Sequence, residues 1–326
     1  MVIYFFYFIA VFIFTLASLK LHIDIISKTK FFRKPAQVDS IKKPCINELH
    51  RHKSATPSMG GLAINLALLV FSVLYSLITV RIQWMGPILF LFGAMGFLDD
   101  YIKLKRRRDG VSPIQKLIGQ TVIAAACVAY LYVSDQIAPR MEIPFAGETP
   151  EIALPLLLPL LVVLIVASSN SVNITDGLDG LALGIGMLSL GFIIYYAWRV
   201  QDTDALLIAV ILEAACAAAL FFNRYPAKIF IGDTGSLLLG GSIATLLIKL
   251  GIPLFIPVIL IVCLFETLSV VLQVCSLRLF HKKIFKIAPF HHHLEKCGWK
   301  ETSVVFVFWG ITAVSCFLAY LGLGGR

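Results

Sequence analysis

Along the chain, long apolar runs alternate with short polar clusters, and the runs fall near 3–20, 60–80, 85–98, 117–133, 152–168, 180–198, 205–222, 235–249, 252–275 and 303–322. A membrane-crossing helix needs roughly 20 mostly apolar residues. The pattern therefore predicts about ten transmembrane helices, with 85–98 and 235–249 short enough to tilt or to begin inside a polar vestibule. The expected fold class is an all-α polytopic membrane protein, read as a single integral-membrane domain over residues 1–326. The first run has no Lys or Arg between Met1 and Ala10, and its first base, Lys20, follows the apolar stretch, so it reads as a retained helix rather than a cleavable signal.

Composition excludes an ordinary soluble enzyme: 59% of residues are hydrophobic and 14% charged, against about 25% charged in typical soluble domains. The seven cysteines are scattered and form no Cys-x-x-Cys pair, so they read as reduced packing thiols. A net charge of +9 would suit a nucleic acid, but no recognition helix or aromatic-basic RNA motif accompanies it, and no nucleic-acid partner is expected. Membrane topology explains the excess better, because cytoplasmic loops concentrate Lys and Arg. The loops after the first, third, fifth, seventh and ninth runs hold all of the 28 Lys and Arg except Arg81, Arg140, Arg199, Lys249 and Arg326. Both termini are expected outside. The outer segment 134–151, with Pro139, Pro144 and Pro150, reads as a short structured excursion without chemistry.

Every unusual polar cluster then falls on the cytoplasmic side: His50 to Gly61; Asp99-Asp100 at the end of the third helix; Asn170 to Gly180 between the fifth and sixth; Asn223 to Pro226 and Phe230 to Ser236 between the seventh and eighth; and Ala288 to Glu295 between the ninth and tenth. Each has a plain reading. Asp99 and Asp100 can be solvated at a membrane exit, Asp176 and Asp179 with their glycines can form a turn and helix cap, and Asp233 can cap the eighth helix. The His291-His292-His293 run is no zinc site, because three successive residues cannot all face one ion. Taken together, five acids beside hydrocarbon repel one another unless a cation sits among them. Oxygen donors without thiolates suit a hard ion, Mg²⁺ first. Acid, metal, Lys53 and histidines describe phosphoryl transfer, which needs charge neutralised and partners placed in line.

These motifs carry a resemblance. Lys53 to Gly61, Asp99-Asp100, Asn173 to Asp179, Gly232 to Ser236 and Pro289 to Glu295 resemble the polyprenyl-phosphate N-acetylhexosamine-1-phosphate transferases. The triple histidine with Glu295 and Gly298-Trp299, and Glu266 to Val270 with Gln273-Val274, look like the muramoyl-pentapeptide branch of bacterial peptidoglycan synthesis. Ala55 and Ser58 depart from the usual Gly and Thr, which affects the shape of that loop. The resemblance implies transfer of phospho-MurNAc-pentapeptide from its UDP donor to undecaprenyl phosphate, giving lipid I and UMP, at the cytoplasmic face of the bacterial inner membrane. It implies Asp233 as the foremost Mg²⁺ ligand, with Asp99 and Asp100 assisting the metal or the lipid phosphate. Around the uridine and diphosphate it places Lys53, Asn173, Asp176, Gly177, Leu178, Asp179, Asn223 and Phe230, with Asp179 and Phe230 near the base. His291, His292 and His293 fall near the sugar-phosphate or peptide, and Gln273 and Glu266 either line the cavity or make packing hydrogen bonds.

A phosphate monoester loses its second proton near pH 6, so the lipid acceptor needs little help from a base, and direct attack on the donor's β-phosphorus is favoured over an aspartyl-phosphate intermediate on Asp233 or Asp100. The ninth run is long enough to bend outward and open a groove for the prenyl tail. Rival readings are the same chemistry on another donor such as UDP-GlcNAc, an ion-coupled transporter, for which only Glu213 and Glu266 lie deep and no inverted repeat is visible, and a scaffold, which leaves the acids unexplained. The oligomeric state, a homodimer included, stays open.

Overall fold

The computed structural model describes residues 2–28, 56–80, 83–106 and 110–323. Lys53 and the first half of its motif lie outside the described residues. Ten long helices run through them: α1 (Val2–Lys28), α2 (Gly61–Thr79), α3 (Met85–Arg106), α4 (Pro113–Val133), α5 (Leu154–Thr175), α6 (Leu181–Arg199), α7 (Thr203–Asn223), α8 (Gly232–Lys249), α10 (Ile261–Phe280) and α12 (Glu301–Gly322). The one-turn α9 (Ile256–Ile259) precedes α10, and the short α11 (Phe290–Lys296) precedes α12. A two-strand hairpin, β1 (Glu142–Ile143) and β2 (Gly147–Glu148), fills the 134–151 excursion.

Nine of the long helices among the described residues are apolar and long enough to cross a membrane; α8 is the exception. Its position explains why. It packs against α2, α3, α4, α5, α6 and α7, and every residue from Thr234 to Ile248 is buried. A helix enclosed by protein needs close packing more than lipid solubility, and small residues provide it: a Cβ on Gly240 would lie 2.5 Å from the Ser168 carbonyl oxygen of α5. By contrast α1, outermost on α7 and α2, leaves Val2, Phe5, Phe6 and Ile13 exposed, as a lipid-facing helix should.

Several boundaries differ from the sequence expectation in ways that bear on the site. The third helix extends to Arg106, so Asp99 and Asp100 stand inside a helix rather than at its end. Its extra turns are stabilised by Lys103, four residues from Asp99 and 2.7 Å from its carboxylate, a spacing that puts both on one face. The fifth helix runs on to Thr175, carrying Asn170 and Asn173, so the linker to α6 is only 176–180. The fourth starts at Pro113 behind a capping box of Ser112 and Gln115. The histidine run forms a helix of its own, α11, instead of a loop. The ninth run is broken at Leu260, just after Pro253 and Pro257.

Candidate active site

Four segments distant in sequence meet at one end of the bundle, where the N-terminus of α8 is the hub. Gly96 brings α3 against it: a Cβ there would lie 2.2 Å from the Asp233 carbonyl oxygen. Residues 57–61 lie alongside 227–231, since Phe230 donates its N–H to Pro57 O (2.9 Å), Gly60 to Phe230 O (2.8 Å) and Gly61 to Ile231 O (3.0 Å). Backbone pairing of this kind fixes the loop that leads into Asp233.

Asp99 and Asp233 form the charged centre. Lys103 Nζ bridges Asp99 Oδ2 (2.7 Å) and Asp233 Oδ2 (2.8 Å). Lys116, from the first turn of α4, reaches the same Asp233 oxygen at 2.7 Å, Asp99 Oδ2 at 3.7 Å and Asn173 Oδ1 at 3.2 Å. Asn173 donates its amide N–H groups to Asp233 Oδ1 (2.9 Å) and Ser236 Oγ (2.8 Å). Asp99 Oδ1 accepts from the Val111 N–H at 2.6 Å, tying the loop before α4 to the centre. Two carboxylates are thus offset by two ammonium groups, which resolves the repulsion inherent in clustered acids.

Asp100 has a different place. It accepts from the Thr234 N–H (3.0 Å) and hydroxyl (2.7 Å) and from the Asp233 N–H (3.3 Å). It therefore satisfies orphan donors at the start of α8 and faces its positive dipole end. Of the expected trio, Asp99 and Asp233 share Lys103, while the Asp100 oxygens turn to the start of α8. The cap on α8 comes from Asp100, not from Asp233.

The second cluster lies around residues 176–180. Asp179 is buried and accepts from the Ala227 N–H at 2.9 Å, while its own N–H donates to Glu301 Oε1 at 2.8 Å. Asn223 is a brace: its Oδ1 accepts from the Gly180 N–H (3.0 Å) and its Nδ2 donates to Ile229 O (2.8 Å). Leu178 is buried, Asp176 is half-buried at the C-cap of α5, Gly177 is exposed, and Phe230 is half-buried.

The third cluster is α11. Glu266, fully buried on α10, accepts from both the His291 N–H (3.0 Å) and the His291 ring Nδ1 (3.1 Å). His292 pairs with Glu295 at 2.7 Å, and His293 Nδ1 accepts from the Lys286 N–H at 3.0 Å. The three rings turn to three different partners, as their spacing requires. His291 Nε2 abuts Gly177, where a Cβ would lie 2.2 Å away, and this contact joins the second cluster to the third. Gln273 braces the next segment: its Oε1 accepts from the Ile284 (3.1 Å) and Phe285 (2.9 Å) N–H groups, and its Nε2 donates to Phe285 O (3.1 Å). Each such bond contributes about 0.5–1.5 kcal/mol. Gln273→Leu is therefore expected to loosen the 281–289 segment, read as severalfold faster tryptic cleavage after Lys282, Lys283 and Lys286; unchanged cleavage would remove the bracing role.

Lys103, Lys116 and Glu301 were not anticipated as members of these clusters. Lys103 had a readable signal, its i+4 spacing from Asp99. Lys116 and Glu301 had none, because their positions depend on how helices pack.

Residues 82–251, which include Asp99, Lys116, Asn173, Asp179 and Asp233, match the family model for Glycosyl transferase family 4. Relatives named phospho-N-acetylmuramoyl-pentapeptide-transferase include one from Acetivibrio thermocellus, 39% identical over 84% of this chain and 83% of its own length. Another from Thermoanaerobacter sp. is 35% identical over 97% of both chains, and one from Bacillus subtilis is 39% identical over 84% of this chain and 85% of its own. With charged centre, histidine helix and near full-length similarity all in place, the chain belongs to the phospho-N-acetylmuramoyl-pentapeptide-transferase family.

Proposed function

We propose that the protein transfers phospho-MurNAc-pentapeptide from UDP-MurNAc-pentapeptide to undecaprenyl phosphate, releasing UMP and leaving lipid I in the bacterial inner membrane, with the charged centre facing the cytoplasm. The observation that carries this reading is the meeting of Asp99, Asp233, Asn173, Lys103 and Lys116 at one end of the bundle, because phosphoryl transfer between two anionic substrates demands dense, compensating charge. The excess of Lys and Arg in the loops on that side supports the orientation.

Mg²⁺ fits the donor set: Asp99 and Asp233 offer carboxylate oxygens, Asn173 an amide oxygen, no sulfur is present, and an ammonium nitrogen already stands 2.7–2.8 Å from both carboxylates as a stand-in cation. Bound there, the ion would neutralise charge on the donor diphosphate. Lys116 and Lys103 would orient the donor's phosphates, and Asn173 would hold the Asp233 carboxylate in register. Asp99 would position the lipid phosphate, which is largely deprotonated at neutral pH and attacks the β-phosphorus directly as UMP departs. Asp179, Phe230, Leu178 and Gly177, with Lys53 from the segment outside the described residues, would form the uridine end, and the α11 histidines the sugar and peptide end. The prenyl tail would lie against α10, whose Phe265, Leu268, Val271 and Leu272 are exposed.

Purified protein given undecaprenyl phosphate, Mg²⁺ and UDP-MurNAc-pentapeptide is expected to release UMP, and UDP-GlcNAc is not expected to replace the donor; equal turnover of both would move the reading to the GlcNAc-phosphate branch. Gly177→Ala, which forces a methyl against His291 Nε2, is expected to raise the donor KM about ten- to a hundredfold through misplacement of about 1 Å. An unchanged KM would detach that loop from the donor.

A further inference from the structure

We infer that Lys103 and the divalent cation are alternative occupants of one seat, the facing oxygens Asp99 Oδ2 and Asp233 Oδ2, so that metal enters with the anionic donor rather than ahead of it. This rests on the proposed role of that pair as the cation site. The Lys103 ammonium lies 2.7 and 2.8 Å from these two oxygens. A magnesium ion sits about 2.0–2.1 Å from its oxygen ligands, so an ion on the same two atoms and an ammonium between them would overlap, with like charges in contact.

Lys103 is the group that leaves. Its side chain is 41% exposed, whereas Lys116 is 16% exposed and held by a third acceptor, Asn173 Oδ1. Charge balance gives the same order of events. Asp99 and Asp233 are matched by Lys103 and Lys116, and the oxygens of Asp100 accept from the start of α8. A divalent ion added beside Asp99, Asp233, Lys103 and Lys116 leaves two excess positive charges on those four groups, which the nearby Asp100 carboxylate lessens and the donor's diphosphate offsets. Lys103 thereby keeps the substrate-free centre neutral and becomes available to the phosphates once displaced.

The test is Mn²⁺ binding to the purified full-length protein, followed by electron paramagnetic resonance. Without nucleotide, Lys103→Met is expected to bind Mn²⁺ at least tenfold more tightly than wild type, and Lys103→Arg, which keeps the charge, is expected to stay as weak as wild type. Adding UDP to the wild type should tighten Mn²⁺ at least tenfold. A Met variant that binds no more tightly, or an Arg variant that tightens equally, overturns the inference. A second readout needs no variant: Mg²⁺ raised until it saturates the nucleotide-free wild type should speed acetylation of Lys103 relative to the exposed Lys228, and an unchanged ratio at saturation overturns it as well. Wild type that releases UMP with Mg²⁺ while these binding results fail removes only this inference; wild type that binds Mn²⁺ as expected yet transfers nothing removes the proposed function instead.

Discussion

Asp233→Asn is expected to cut UMP release by at least about 10³-fold, the scale of losing a main electrostatic stabiliser of a transfer reaction. Asp233 Oδ2 takes both lysine ammoniums and Oδ1 takes the Asn173 amide. A neutral amide removes the charge that both lysines face and must turn an N–H toward one of its former donors. Breaking buried ion pairs by removing one partner commonly costs about 3–5 kcal/mol, so the variant should also unfold at lower temperature, although Lys103 keeps Asp99 at 2.7 Å. Asp100→Asn makes the informative contrast. An amide oxygen can still accept from Thr234, so its effect should be that of a weakened cap, about 0.5–2 kcal/mol, with more residual turnover than Asp233→Asn. The comparison needs only initial rates of UMP release and a thermal melt for each. Equal losses in the two variants would argue that Asp100, too, acts on the substrates.

Gly96→Ala is expected to be the most damaging apolar change at the site. In an isolated helix the substitution would favour α3 by about 0.5–1 kcal/mol. Here the new methyl would meet the Asp233 carbonyl oxygen at 2.2 Å, its carbon at 2.4 Å and the Thr234 nitrogen at 2.6 Å. These are backbone atoms, so no side-chain rotation relieves the contact, and α3 and α8 must separate. Overpacking of this kind typically costs about 1–3 kcal/mol, and a shift of about 1 Å between Asp99 and Asp233 should cost roughly a hundredfold in rate. Gly191→Ala is the control, since nothing lies within 4 Å of a Cβ there; it should melt no lower than wild type. A Gly96→Ala protein with normal melting and turnover would show that the two helices tolerate separation.

The long helices that face lipid were readable from apolar runs because lipid imposes length and composition on any helix that touches it. The eighth was readable only as a short run, since Thr234 to Ile248 meet protein on every side and their glycines and serines serve packing. The end of α3 was misjudged for a related reason: Lys103, Lys105 and Arg106 look like a loop by hydropathy but favour a helix by propensity and by the Asp99–Lys103 pair. At the site, repulsion among clustered acids demanded a cation, and two lysine ammoniums stand against Asp233. Hydropathy and spacing had no means of locating Lys116 beside Asp233, a contact between residues 117 positions apart, nor of turning Asp100 away from Asp99 toward the start of α8. Asn223 and Gln273, expected at the substrate, hydrogen-bond to the backbone of neighbouring segments, contacts that no spacing in the sequence announces.

The fate of the donor's β-phosphorus is the most direct test of phospho-MurNAc-pentapeptide transfer. Donor carrying radioactive phosphorus in the β position, incubated with the purified protein, Mg²⁺ and undecaprenyl phosphate, should place all transferred label in the organic-extractable lipid, with unlabelled UMP formed in equal amount. Label appearing as inorganic phosphate, or UMP released at the same rate without the lipid acceptor, would contradict it.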